Sequence, residues 1–284
     1  MVGGTVTVLA IESATDMVGV ALITDEGAVS ERLHLGGRAH AELLVPSIEE
    51  VCAVSGRAVT DIGVIAVDIG PGLFTGLRVG VATAKALAQA LGIGIIGISS
   101  LDTLAAGAAE RAGAGSLPDP ATPSDPEDPS GTVAAVVDAR RGEVFAAVFR
   151  FGDAPDGDRP PDPGSVRDDR EEPLAPEDLV EWLVGVADAD GPVTVVGDGA
   201  VRYRHLLSVH GGLDLRWAEE LSAPPPAALA RLAVRRLDAG FPTVDAGDLV
   251  PDYRRPADAR INWEQRAPRP AGAGGPAHTG DTAG

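Results

Sequence analysis

Residues 61–105, DIGVIAVDIGPGLFTGLRVGVATAKALAQALGIGIIGISSLDTLA, read as one continuous strand–loop–helix–strand unit. Ile62 to Ile69 is an apolar, β-branched run with the length of a buried strand. Gly70-Pro71-Gly72 breaks it sharply. From Thr75 to Leu91, apolar or small residues recur at Leu77, Val81, Ala84, Ala88 and Leu91, which is helical spacing. Gly92 stops that helix, and Ile93 to Ile98 is a second buried strand. A βαβ unit of this kind implies a parallel sheet with a right-handed crossover. The helix is also smooth: Gly76, Gly80, Thr83, Ala84, Ala86, Ala88 and Ala90 leave little side chain on several faces, so another helix could approach closely.

Working outward, Val6 to Ile11 is a buried strand, Met17 to Thr24 its hairpin partner, and Ala28 to His34 an extension of the meander. Ala39 to Val54 reads as a helix with Leu44, Ile48, Val51 and Cys52 on one face; Pro46 falls in its early part, at a first turn or a kink. On the other side, 112–131 and 152–176 are acidic, proline-rich stretches with the composition of disordered loops. Thr132 to Val137 is a strand that turns through Asp138–Gly142 into a returning strand, Glu143 to Phe149. A helix over 177–186, a short strand Val193 to Val196, a helix carrying Tyr203 and Leu206, and an amphipathic helix from Pro226 to Ala239 follow. VTVLAIESATDMVGVAL and TVAAVVDARRGEVFAAV share one plan of strand, terminal acid, tight turn and returning strand. The organisation expected is a first half-domain over 1–108, a disordered loop over 109–131, a second half-domain over 132–262 that includes the acidic loop 152–176, and a disordered tail over 263–284.

Composition narrows the class. A chain of 284 residues can bury a sizeable core. Its single cysteine, Cys52, excludes a disulfide framework and, on the apolar face of a helix, reads as a buried thiol. No apolar run approaches the ~20 residues of a membrane span, and no secretion signal opens the chain, so the expected location is the cytoplasm. The formal net charge of −19 is the wrong sign for gripping a phosphate backbone directly. The arginines at 231–236 and 254–260 are the only basic clusters, and they read as cations paired with nearby acids. Lys85 is the only lysine among many Arg, Ala and Gly residues, a codon bias that discounts the alanines and glycines as structural signals.

The chain resembles the TsaB family, also called YeaZ. The motifs are Leu9-Ala10-Ile11-Glu12-Ser13 with Val18 to Leu22, then His40-Ala41-Glu42-Leu43-Leu44-Val45-Pro46. Gly70-Pro71-Gly72-Leu73-Phe74-Thr75-Gly76-Leu77-Arg78-Val79-Gly80 follows, and finally Asp138-Ala139-Arg140-Arg141-Gly142-Glu143-Val144-Phe145. The resemblance is dense over 5–105, good over 132–150 and thin beyond. It implies an α/β fold of two related half-domains of the sugar kinase, actin and heat-shock ATPase type. It also implies the role of a non-catalytic dimerisation subunit in the complex that makes threonylcarbamoyladenosine in tRNA. The implied partners are the catalytic paralogue TsaD and the ATPase TsaE, with a homodimer when alone and tRNA met only indirectly. The alternative is an ATP-dependent kinase or metallopeptidase of the same fold.

Within that resemblance, Glu12 is either an acid facing a ligand cleft or a strand-end cap, and Asp138 is its mirror residue, paired instead with Arg140 or Arg141. Glu12, Ser13, Asp138, Gly197, Asp198 and Gly199 are the positions at which a weak adenine nucleotide would sit; no cofactor is required. Gly70-Pro71-Gly72 before a helix is either an anion-binding helix start or a tight turn that sets the strand-to-helix angle; it lacks the spacing and lysine of a phosphate loop, which favours the turn. TsaD carries a metal-binding HxxxH after its equivalent of the Ile93–Ile98 strand. Aligned through Ile96-Gly97-Ile98, the two histidine positions are Ser100 and Leu104 here, so no metal site is expected. None of His34, His40, His205, His210 and His278 forms a metal-ligand pair on a helix. The expected partner face lies on the helices at 39–54 and 75–91, with Leu44, Ile48, Gly76, Gly80, Thr83 and Ala84; the alternative is that the close approach at Gly76 and Gly80 serves packing on the chain's own sheet or first helix.

Overall fold

The structure, a computed structural model, describes residues 6–36, 40–113, 131–151, 167–170, 172–209 and 213–254. Most of the two acidic proline-rich stretches and the whole tail from 255 onward therefore lie outside the described residues, as do the expectations made for them.

Five strands of the first half form one sheet: β1 (Val8–Glu12), β2 (Met17–Ile23), β3 (Val29–Leu35), β4 (Val64–Gly70) and β5 (Gly94–Ser99), in the order β3-β2-β1-β4-β5. β1 runs antiparallel to β2 and parallel to β4, with Ile11 opposite both Val20 and Val67. The unbroken apolar reading of β1 and β4 has a simple cause: both faces of this sheet are covered. Leu9, Ile11, Ile65 and Val67 pack under helices α1 (His40–Val54) and α2 (Phe74–Leu91). Val8, Ala10, Val64 and Ala66 on the other face meet Leu229, Leu232 and Ala233 of α7 (Pro226–Asp238). Gly92 closes α2 in the left-handed conformation, φ 68°.

The second half repeats the plan. β6 (Gly131–Arg140), β7 (Glu143–Phe151), β8 (Arg167–Asp169), β9 (Val193–Val196) and β10 (Leu215–Trp217) are ordered β8-β7-β6-β9-β10. β6 is antiparallel to β7 and parallel to β9, as β1 is to β2 and β4. Helices α4 (Pro176–Asp190), α5 (Asp198–Arg202) and α6 (Arg204–Val209) cover one face. The other face is covered by α3 (Ser100–Gly113), which belongs in sequence to the first half: Leu101, Leu104, Ala105 and Ala108 pack on Val133, Ala135, Val137 and Phe149. Two mixed sheets of identical order, each with helices on both faces, define the sugar kinase, actin and heat-shock ATPase type of fold.

The two halves thus exchange their last helices, α3 onto the second sheet and α7 onto the first, and contiguous sequence halves do not coincide with packed lobes. The crossing helices are tied by Arg236–Asp102 at 2.7 Å, and by Arg231 and Arg235 on Glu110 at 2.7 and 3.2 Å. The segment after α7 also returns to the first lobe. Val244 and Ile95 exchange backbone hydrogen bonds of 2.8 and 2.9 Å, and Leu249 enters the first core. Arg254 then binds Asp169 with two guanidinium nitrogens at 2.6 and 2.8 Å. The arginines of 231–236 and Arg254 are therefore paired with acids; 255–260 lie outside the described residues. Among the described residues no helix is long and apolar enough to cross a membrane.

Three features differ from the periodicity-based expectation. α3 is a helix where the sequence pattern predicts none, the helix carrying Tyr203 and Leu206 is two short helices broken at Tyr203, and β8 and β10 are strands of three residues each.

Candidate functional site

Among the described residues, three of the buried acids, Glu12, Asp68 and Asp138, lie toward the ends of their strands. Glu12 at the end of β1 is wholly buried, and its Oε1 accepts the Ala14 N–H at 2.8 Å. Beside it on β4, Asp68 is equally buried; its Oδ1 accepts the Gly70 N–H at 2.7 Å and the Ser100 hydroxyl at 2.6 Å. Both acids cap the turn that follows their strand, the structural side of the alternatives open for Glu12. Burial, and then the charge of Asp68, push the Glu12 carboxyl well above the usual carboxylate range; burial raises Asp68 as well. Asp68 escaped the sequence reading, although an acid inside the apolar run VIAVDIG was its signal.

Asp138, the mirror residue at the end of β6, is handled differently. Its Oδ1 accepts the Arg140 N–H at 2.9 Å, and its Oδ2 receives Arg140 at 3.0 Å and Arg202 at 3.1 Å. Arg140 also reaches Asp16 in the β1–β2 turn at 3.1 Å, an ion pair between the lobes. Asp198 accepts the Asp138 N–H at 2.8 Å and its charge is felt at Glu12, so the two strand ends face a common region. Burial raises the Asp198 carboxyl. Gly197 and Gly199 serve this packing. A Cβ at Gly197 would lie 2.1 Å from the Val136 carbonyl oxygen, and one at Gly199 would lie 2.9 Å from Val136 and Val137 atoms. Of the six positions proposed for nucleotide, Glu12, Asp138 and Asp198 are engaged as described, Ser13 donates to the Gly76 carbonyl at 2.9 Å, and the two glycines seat β6.

The glycines of the smooth helix α2 pack against the chain's own first sheet. A Cβ at Gly76 would stand 2.0 Å from the Ser13 carbonyl oxygen, and one at Gly80 2.1 Å from Ser13 Oγ. The close neighbour these glycines admit is the end of β1 in the same chain. Leu44, Ile48 and Ala84 are core residues of the first lobe, at most 4% exposed, and Thr83 is half-buried. Contact with another molecule from these helices must come from other positions: Thr75, Arg78, Ala82, Ala86 and Gln89 on α2, and Ala41, Val45 and Val54 on α1, are exposed. Arg78 lies 3.7 Å over the Phe74 ring, which tilts against Tyr253 at 5.3 Å. After Gly70-Pro71-Gly72, the Leu73 N–H donates to the Ala14 carbonyl at 2.6 Å, so that donor at the helix start is already taken.

The positions aligned with the paralogue's metal ligands have other work. Ser100 is bound to Asp68, and Leu104 is wholly buried in the second-lobe core. Neither residue type suits a transition metal, and among the described residues no three His, Cys, Asp or Glu side chains are grouped to hold one. Cys52 is buried, and burial raises its thiol. A groove of about 680 Å³, lined by Lys85, Gln89, Thr243 and Asp245, lies at the C-terminal end of α2.

The duplicated fold, with buried acids at its strand ends bonded to the turns that follow, describes an α/β protein of two related half-domains. A family model described as TsaD, tRNA N6-adenosine threonylcarbamoyltransferase, matches residues 34–156. The Bacillus subtilis (strain 168) tRNA threonylcarbamoyladenosine biosynthesis protein TsaB is 27% identical over 258 residues, spanning 90% of this chain and 97% of that one. The Escherichia coli (strain K12) protein of the same name is 36% identical over 143 residues, 50% of this chain and 54% of that one. A crystal structure of a Pseudomonas aeruginosa protein with similarity to peptidase YEAZ superposes with a TM-score of 0.67 at 26% identity, over 88% of this chain and all of that one. Over most of its length the chain is similar to TsaB (YeaZ) proteins.

Proposed function

We propose that this chain takes part in forming threonylcarbamoyladenosine in tRNA as a non-catalytic subunit that binds TsaD. The names of its relatives support the pathway. The observation that carries the non-catalytic role is the use made of Ser100 and Leu104, which serve a buried carboxyl and a core in place of metal ligands. The TsaD subunit supplies the metal and the transfer chemistry; this chain supplies the exposed small and apolar residues of α1 and α2, among them Val45, Ala82 and Ala86. The ATPase TsaE joins the same complex, the same face pairs two copies when TsaD is absent, and tRNA is met through the complex. No cofactor is required, and any adenine nucleotide binds weakly.

Size-exclusion chromatography of the chain with its TsaD tests this reading. Wild type co-elutes with TsaD, whereas Ala82→Arg, at an exposed position, keeps its circular dichroism and melting temperature but elutes alone. Gly80→Arg, by contrast, unfolds the chain, because its side chain would enter the space of Ser13. Transfer of the threonylcarbamoyl group, or ATP turnover, by the isolated chain would overturn the non-catalytic role.

A further inference from the structure

We propose that Glu12 and Asp68 form a buried proton site, in which one proton shared between the two carboxyls does the neutralising work that arginines do at Asp138. β1 and β4 are parallel neighbours with Ile11 opposite Val67, so Glu12 and Asp68 occupy adjacent positions one residue beyond that pair. Both are 0% exposed. Each carboxyl has one oxygen fully bonded, as described above, and one that no N–H or O–H group reaches: Glu12 Oε2 and Asp68 Oδ2. The two unmatched oxygens thus belong to buried carboxyls that are neighbours on adjacent parallel strands. Two carboxylates offer only acceptors, so a hydrogen bond between them requires a proton on one of them.

Among the described residues no Lys, Arg or His pairs with either acid. From α5, Asp198 adds negative charge at Glu12; from α3, Asp102 adds it at Asp68, and the nearby Arg236 of α7 is bound to Asp102. Arg140 and Arg202 are bound to Asp138. Ser100 contributes a neutral hydroxyl. A buried, doubly ionised pair in such a place would carry an uncompensated charge that folding does not tolerate, and protonation removes it. The raised affinity of both groups for protons agrees. The folded pair holds a proton that the unfolded chain releases. Its stabilising contribution is therefore complete below the ordinary carboxylate values, 4.5 for Glu and 3.8 for Asp, and is lost as pH rises through the pair's own higher value.

The test uses the full chain and two near-isosteric variants. In Glu12→Gln the amide oxygen still accepts from Ala14 and the NH₂ donates to Asp68. In Asp68→Asn the amide oxygen still accepts from Gly70 and Ser100 and the NH₂ donates to Glu12. Infrared spectra in D₂O at pH 7 are expected to show the carbonyl stretch of a protonated carboxyl in wild type and to lose it in each variant. Over the range in which the pair ionises, the wild-type melting temperature falls by about 2–4 °C per pH unit more than that of either variant. Absence of the band in wild type, its persistence in both variants, or parallel pH profiles would each overturn the proposal. So would a one-to-one Mn²⁺ isotherm with a melting-temperature rise in wild type that Glu12→Gln abolishes, which would make the pair a cation site instead.

Discussion

The ends of β1 and β6 occupy the same place in a duplicated plan, yet they solve the same electrostatic problem in different ways. At β6, Asp138 is 4% exposed and is met by its own turn and by two half-exposed arginines. At β1, Glu12 is wholly buried with Asp68 beside it, and among the described residues no cation pairs with it. Access of the neighbouring side chains to water makes the difference. Guanidinium groups can reach Asp138 while keeping part of their hydration, whereas a cation at Glu12 would have to be buried whole. Equivalent position in a repeat therefore fixes the residue class, an acid, but not its protonation or its partners.

The largest expected effects break the packing that brings these strand ends into place. Gly197→Ala forces a Cβ against the rigid Val136 carbonyl and holds it at φ 103°, a conformation that disfavours any side chain. A loss of about 4 kcal/mol, or no folded protein, is expected in urea unfolding. Gly76→Ala meets the Ser13 carbonyl just as closely, but alanine recovers helix propensity, so about 2–3 kcal/mol is expected. If the two variants cost the same, backbone conformation at Gly197 contributes little.

Exchange of an acid for its amide sharpens the comparison. Asp138→Asn turns an NH₂ toward Arg140 and Arg202 or gives up their charge pairing, for a loss of about 1–2 kcal/mol at pH 7. Glu12→Gln gains a donor toward Asp68 and costs under about 1 kcal/mol at the same pH. The reverse order in chemical denaturation would mean that Glu12, not Asp138, is the ionised member. Smaller again is Arg202→Ala. Arg202 is half-exposed and Arg140 remains on Asp138, so a loss of about 0.5 kcal/mol is expected. Arg32→Ala, which removes an exposed ion pair with Glu50 on the edge strand β3, sets the baseline at about 0–0.5 kcal/mol.

Much of the first lobe was legible from the chain alone. β4, α2 and β5 follow from an apolar run, a Gly-Pro-Gly break, helical spacing and a terminal Gly92, and the structure finds them within one or two residues of the expected limits. Helix α3 was not legible: SLDTLAAGAAERAG is buried on nearly every side between the second sheet and α7, so it has no polar stripe to reveal a period. β8 and β10, at three residues each, are too short to show alternation. At the site, Glu12 and Asp138 stood out because each ends a strand, whereas Asp68 was absorbed into its apolar run.

What the sequence determined by itself is everything that depends on neighbours two to four positions away: the strands, the amphipathic helices, the turns, and the repeat of strand, acid and returning strand. It also indicated that something must lie close to Gly76 and Gly80. Only the tertiary structure decided what that is, Ser13, 63 residues upstream of the carbonyl it binds. Tertiary structure likewise decided that α3 and α7 change lobes, and that Glu12 faces Asp68 while Asp138 faces arginines. Helical and strand periods are properties of the local backbone. Which group comes to rest across a gap depends on how whole sheets and helices stack, and no local pattern encodes that.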